Sequence, residues 1–285
     1  MKSIKICVAA ITAGVVCIAA MIGILSAAIY AENESGNSFI GLMYHQVLKD
    51  ESRAGKYIIT PNELESDLAY LSENGYVSVL PSQLVKIREQ GGRLPEKTVI
   101  ITFDDGYETG LYYVLPLLKK YGMKAVINVV GSYTDEYSRI NEEGKHLSYA
   151  YLTWNEIKTL SDSGYVEIGN HTYDMHSNNG DRNGCARKEN ESDEQYRTVL
   201  YEDVARLSDK LQQVTGKRPV AFAYPFGSLS EGSAEIIGSA GISVFMTCCE
   251  QPCSMNRNGR IVINRYNRES GRTAQQICEE FNNAF

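Results

Sequence analysis

Short apolar runs bounded by glycine, proline and asparagine alternate along this chain with longer amphipathic stretches, and nothing else in the sequence restricts the fold as much. The short runs read as strands and the long ones as helices. A first strand is expected at Phe39–Tyr44. Thr60-Pro61-Asn62-Glu63 then opens a helix, with Thr60 as cap, Pro61 in the first turn and Glu63 closing a capping box. That helix should stop at Asn74-Gly75, before a short strand at Val77–Val79 and a helix over Pro81–Gln90. Strands follow at Val99–Phe103, Ala125–Val130, Val166–Ile168, Val220–Tyr224 and Ser243–Met246, and a late one ends in Ile263-Asn264-Arg265. Between them lie helices over Gly110–Tyr121, Trp154–Ser161, Glu194–Val214 and Ala234–Ser239. Such alternation means parallel strands joined by crossover helices, in a closed barrel or an open doubly wound sheet. Both architectures place their chemistry at the C-terminal ends of the strands.

The chemically loaded residues fall at those ends. Asp104, Asp105 and Gly106 directly follow the apolar run Val99–Phe103. Neighbouring side chains on a strand point to opposite faces. A turn through glycine lifts that restriction and lets both carboxylates face one cavity. A plain Asp-Asp-Gly surface turn is the competing reading. The chain has four histidines, and two of them, His171 and His176, fall in one short window after another apolar run. Their spacing suits neither a helix face nor a strand face, so they belong to a loop that folds back on itself. Asp105, His171 and His176 would leave open positions on a divalent ion, as catalytic sites do. Zinc is the first choice for such a set, although cobalt, nickel or iron also suits it.

With these residues the chain resembles the polysaccharide deacetylases of carbohydrate esterase family 4, the NodB-homology fold. Thr102-Phe103-Asp104-Asp105-Gly106 matches the family's T-F-D-D-G motif, and His171 to His176 its H-[ST]-x-x-H motif stretched by one residue. Ala223-Tyr224-Pro225-Phe226-Gly227 is similar to R-x-P-Y-G, with alanine in place of the arginine. The early Leu42-Met43-Tyr44-His45 and the longer histidine spacing look most like the branch acting on poly-N-acetylglucosamine, that of the intercellular-adhesin deacetylases. The resemblance covers roughly residues 39 to 266. It implies a deformed (β/α) barrel of about seven parallel strands and a metal-dependent hydrolase removing N-acetyl groups from N-acetylglucosamine units of poly-N-acetylglucosamine or peptidoglycan. Alternatives are an O-acetyl esterase on another glycan and a non-catalytic glycan-binding protein on the same scaffold.

Position by position, the resemblance makes Asp105, His171 and His176 the metal ligands and Asp104 the general base. It assigns an oxyanion-stabilising backbone N–H to Phe226, since Pro225 has none to give, and substrate contacts to Tyr224 and Pro225. The family's late L-x-H motif is absent, because no histidine follows His176. In the poly-N-acetylglucosamine branch the general acid lies near the N-terminus, where His45 fits. Arg265 is the candidate substitute for the missing arginine that tethers the base; an ordinary solvated arginine is the other reading. His146, in a polar stretch, reads as a surface residue, and Trp154 as a packing residue.

Lys2 and Lys5 precede an uncharged run over 6–30, long enough to cross a bilayer as a helix. Residues 1–31 are therefore expected to be a short cytoplasmic start and a transmembrane signal-anchor, with an extracytoplasmic domain over 32–285. The competing reading is a signal peptide cleaved after Ser26-Ala27-Ala28. Five of the seven cysteines lie beyond that span, and an odd number leaves at least one without a partner inside the chain. Cys248, Cys249 and Cys253 could form a local disulfide or stay free. A net charge of −7 argues against nucleic acid as a partner. The polar segment Ser177–Tyr196 reads as a surface loop beside the site.

Overall fold

The computed structural model describes residues 38–140, 146–255 and 259–283. The expected membrane span lies outside them; among the described residues no helix is long and apolar enough to cross a membrane.

The chain starts with β1 (Ser38–Tyr44), followed by β2 (Gln46–Val47) and β3 (Ile58–Ile59), which pair only with each other. Helix α1 (Pro61–Glu73) carries the expected Thr60–Glu63 capping box, and β4 (Val77–Ser78) and α2 (Pro81–Glu89) follow. Then come β5 (Thr98–Phe103), α3 (Leu115–Tyr121) preceded by a π-helical turn at Gly110–Val114, β6 (Ala125–Val129) and a short α4 (Gly131–Tyr137). Next are α5 (Trp154–Asp162), β7 (Val166–Asn170), α6 (Asp193–Thr215), β8 (Ala221–Ala223) and α7 (Ser233–Ser239). The chain continues with β9 (Val244–Met246), β10 (Cys253–Ser254), β11 (Ile261–Ile263), β12 (Tyr266–Asn267) and α8 (Ala274–Asn282).

Strands β1, β5, β6, β7, β8, β9 and β11 lie side by side in that order, each parallel to its neighbour. The ring all but closes. Just past β11, β12 pairs in parallel with β1, and β10 caps the same edge antiparallel. Gly41 makes that closure feasible: a Cβ there would lie 2.3 Å from the Asn264 carbonyl oxygen.

The period-two alternation of each strand sorts its residues between two cores. Val99, Ile101 and Phe103 of β5, with Ile40, Leu42 and Tyr44 of β1, pack outward against the helices. Ile100, Val126, Ala221, Ala223, Val244, Met246, Ile261 and Ile263 fill the barrel interior. Extending the interior rows past the strands reaches His45 after β1, Asp104 after β5, His171 after β7, Cys248 after β9 and Arg265 after β11. Register alone thus delivers five polar side chains to one end of the barrel. Outside the barrel, a buried Arg268–Asp67 ion pair (2.7 Å) joins the segment after β12 to α1, and Asp67 also accepts from the Tyr44 hydroxyl and the Ala274 N–H.

Several short elements exceed what the sequence reading named. Helix α4, the β2–β3 pair, β10 and α8 were not anticipated, and α6 begins inside the segment read as a loop. The rest of that loop is packed rather than merely solvated: Cys185 is fully buried, and Arg182 pairs with Glu191.

Candidate active site

Asp105 occupies a left-handed backbone conformation (φ 71°), followed by Gly106 at the same value. This turn brings both carboxylates to the same end of the barrel, and it is Asp105 itself, as much as the glycine, that makes it. Among the described residues only two other non-glycine residues have positive φ: Thr172, next to His171, and Phe226. Backbone strain of this kind costs on the order of 1–3 kcal/mol per residue and persists where the surroundings over-determine it. Here all of it is concentrated around one site.

Asp105 Oδ1 lies 3.0 Å from His176 Nε2 and 3.4 Å from His171 Nε2. The three donor atoms fall within 4.8 Å of one another. His171 Nδ1 lies 2.8 Å from the Ala223 carbonyl, which can only accept. That bond puts a proton on Nδ1 and turns Nε2 toward Asp105, the nitrogen that a metal ion would take from this ring. Two imidazole nitrogens and one carboxylate oxygen converging in this way fit a divalent ion of the zinc type. Burial would raise the Asp105 pKa, but the hydrogen bonds from His171 and His176 outweigh it and hold the carboxyl far below the usual range.

Asp104 is 3 % exposed. Its Oδ1 accepts from Arg265 Nη1 and from Asn128 Nδ2, both at 2.7 Å. Burial pushes its pKa up, but the Arg265 charge dominates and brings it down to about 2. Arg265 is fully buried, which rules out the solvated reading; its Nε donates to the Thr247 carbonyl and its Nη1 also to Thr102 Oγ1. Asn128 was not singled out by sequence. The only cue was a lone amide within the apolar strand Ala125–Val129, and Gly169 opposite it is bare because a Cβ would meet Asn128 Oδ1 at 2.0 Å.

His45 lies at the same end, edge-on to Tyr57 at 4.7 Å between ring centroids. Its Nδ1 is buried and makes no hydrogen bond to the described protein. Burial lowers its pKa, against the pull of the Asp105 and Asp104 carboxylates. Phe226 is 47 % exposed and packs its ring on His176, centroids 4.7 Å apart.

Tyr224 and Pro225, the expected substrate contacts, are both buried in this structure. The Tyr224 ring is 3 % exposed, packed against Phe222 and Phe245 with its hydroxyl near Ser233. Pro225 is buried too. The turn beyond β8 therefore offers solvent the ring of Phe226. His146 is exposed, and Trp154 packs on the core with its Nε1 donating to Asp135. The five described cysteines are free thiols.

The loop from His171 to His176 is held from α6. Asp203 accepts from the backbone N–H groups of Tyr173 (2.7 Å) and Asp174 (2.8 Å), and Asn170 Oδ1 accepts from Thr172 N–H (2.9 Å). The Tyr173 hydroxyl donates to Asp135, which also accepts from Lys210 and Trp154. None of these anchors carries a sequence signal, because each acts across a distance in the chain that only folding closes.

A family model described as "Polysaccharide deacetylase" matches residues 91–245. The chain belongs to the polysaccharide deacetylase family. Its resemblance to the poly-N-acetylglucosamine branch extends to named relatives. It is 27 % identical over 231 residues to the poly-beta-1,6-N-acetyl-D-glucosamine N-deacetylase of Escherichia coli K12, across 74 % of this chain and 34 % of that protein. The chain thus spans about a third of the length of that relative. Among solved structures, this polysaccharide deacetylase domain is similar to a de-N-acetylase from Aggregatibacter actinomycetemcomitans (TM-score 0.73, 25 % identity, 85 % of this chain and 99 % of that one). It is also similar to IcaB from Ammonifex degensii (TM-score 0.67, 26 % identity, 86 % and 97 %).

Proposed function

We propose that this protein is a divalent-metal-dependent N-deacetylase acting on N-acetylglucosamine units of a cell-surface polysaccharide, with poly-N-acetylglucosamine ahead of peptidoglycan as substrate. The observation that carries the reading is a carboxylate–bis-imidazole triad beside a second, buried, arginine-paired carboxylate. Glycan binding alone needs no such base. The names of the relatives favour the polymer. The N-terminal run over 6–30 would anchor the domain outside the cytoplasmic membrane, where such polymers lie.

Asp105, His171 and His176 would hold zinc, or cobalt or nickel. Such an ion would supply Lewis acidity to a carbonyl and to water at this site. Asp104 accepts the proton of that water. It stays ionised through its Arg265 partner, and Asn128 fixes the direction of its lone pairs. Phe226 N–H donates to the oxygen of the tetrahedral intermediate. His45 delivers a proton to the departing nitrogen, a step an amine needs more than an alcohol does. The exposed Phe226 ring gives the sugar an apolar face to lie on.

The test is acetate release from N-acetylglucosamine oligomers and peptidoglycan fragments by the zinc-loaded protein, with Asp104→Asn alongside. Loss of the base should lower the rate by about 10²–10⁴-fold. A folded, zinc-loaded protein that releases no acetate from either polymer would end this reading. Faster release from acetyl esters than from the amides, with His45→Ala barely slower on the esters, would replace it with an esterase.

A further inference from the structure

Helix α4 has no part in the chemistry described so far, yet four of its seven residues bond to the loop that carries His171 and His176. The Gly131 N–H donates to the Thr172 carbonyl (3.1 Å) and the Ser132 N–H to the Tyr173 carbonyl (2.7 Å). Asp135 accepts from the Tyr173 hydroxyl. The approach is close enough to require glycine at the start of the helix: a Cβ on Gly131 would lie 2.4 Å from Tyr173 Cδ2 and 3.1 Å from its Cα.

The fourth residue, Tyr133, reaches a candidate metal ligand. Its hydroxyl lies 3.1 Å from the His176 carbonyl oxygen and 3.3 Å from His176 Nδ1. A carbonyl only accepts, so the single hydroxyl proton goes to it, and the phenol oxygen is left to accept from an Nδ1–H. Nε2 of the same ring lies 3.0 Å from Asp105 Oδ1. His171 is held in the same sense, with its Nδ1 on the Ala223 carbonyl. The Tyr133 ring meets the His176 ring edge-on at 5.7 Å, and it is itself buttressed by Tyr151 at 4.6 Å. Tyr151 in turn stacks on Tyr107 and meets Tyr137 edge-on. A tyrosine cluster with no other assignment thus backs one phenol against one imidazole.

We propose that Tyr133 is a positioning residue for His176: its hydroxyl, oriented by the His176 carbonyl, accepts the Nδ1 proton and so presents Nε2 as the metal-binding nitrogen. Partners of this kind, behind the ligands themselves, fix the tautomer and the ring orientation. The opposite arrangement, with the hydroxyl donating to Nδ1, would put the ring proton on Nε2 and oppose an ion there. The two arrangements therefore predict opposite effects when the oxygen is removed.

The inference rests on the metal-site reading, and the test keeps the two apart. Tyr133→Phe removes one oxygen and keeps the ring in its cluster. Zinc affinity of this variant, read by chelator competition, should fall about tenfold. Tyr151→Phe, which removes a hydroxyl one ring further out, should bind zinc as the parent does. Unchanged or tighter binding in Tyr133→Phe overturns the proposal, and so does an equal loss in both variants, which would assign the effect to the cluster's packing. A second arm needs neither metal nor activity. Imidazole proton–nitrogen NMR spectra of the zinc-free parent should show a proton on His176 Nδ1 that exchanges slowly with solvent, and Tyr133→Phe should lose that protection. A bare Nδ1 in the parent overturns the contact. A folded parent that binds no zinc sinks the metal-dependent reading instead, and the Nδ1 signal then decides on the contact alone.

Discussion

Asp104 is both buried and charged, a combination that costs several kcal/mol unless a partner and hydrogen bonds offset it. Arg265 and Asn128 supply them, and the Asp104 carboxyl is held at about 2. So low a value makes it a modest base, suited to a water whose own acidity has been raised. Removing the partner should be costly twice. Arg265→Gln leaves a buried carboxylate without its charge partner, and we expect a loss of about 3–5 kcal/mol in urea unfolding together with a large fall in kcat. Arg265→Lys should recover part of the stability and little of the rate, since one ammonium cannot reach the Thr247 carbonyl, Thr102 and Asp104 together. At this scale the sequence was legible where residue types are rare and adjacent. The Asp104–Asp105 pair and the His171–His176 pair stand out on the page. Arg265 was visible as a strand-end cation but not as buried, and Asn128 was hidden by its apolar neighbours, because only register shows which way it faces.

The segment from His171 to His176 behaves as a strained clip fastened from outside. Thr172 is β-branched and left-handed (φ 73°), a conformation it would not keep unaided. Asn170 holds the N–H of Thr172 itself, Asp203 those of Tyr173 and Asp174, and Asp135 holds Tyr173 through its hydroxyl. Asp203→Ala should therefore weaken zinc binding about 10- to 100-fold in chelator competition, with the second and third anchors keeping the helix packing and Tm close to the parent. Asp135 gives the element a pH signature. Burial would raise its pKa, but the hydrogen bonds from Lys210, Tyr173 and Trp154 outweigh it and hold the carboxyl at about 2, below the ordinary 3.8. A depressed carboxyl stabilises the fold fully above about pH 4, and that contribution is lost as pH falls toward 2. The Tm of Asp135→Asn should thus fall less than that of the parent between pH 4 and pH 2, as read by thermal melts. The Thr60 capping box made its helix easy to read, and Thr153 and Ser192 close boxes of the same kind in the structure. Thr273 does the same for α8. The extra-barrel anchors could not be read, since α6 meets the histidine loop only after both have folded.

For the molecule as a whole, binding of an ion to the folded chain and not to the unfolded one must raise Tm. At a free zinc concentration a hundred times Kd the gain is about 2.7 kcal/mol, and chelation should reverse it. The barrel itself was only half legible: strand–helix alternation fits an open sheet as well as a ring, and closure depends on the close approach of Gly41 to Asn264, two residues far apart in the chain. That seam also decides when the protein becomes competent. The triad, the base and the acid all lie between residues 45 and 176, whereas the arginine that settles the base arrives with the strand that shuts the ring. On the proposed reading, a chain without that strand has the three ligand side chains but lacks the arginine that keeps the base charged. The segment that closes the barrel is thus also the one that completes the buried charge pair, so a defect in that seam reaches the Asp104 carboxylate directly.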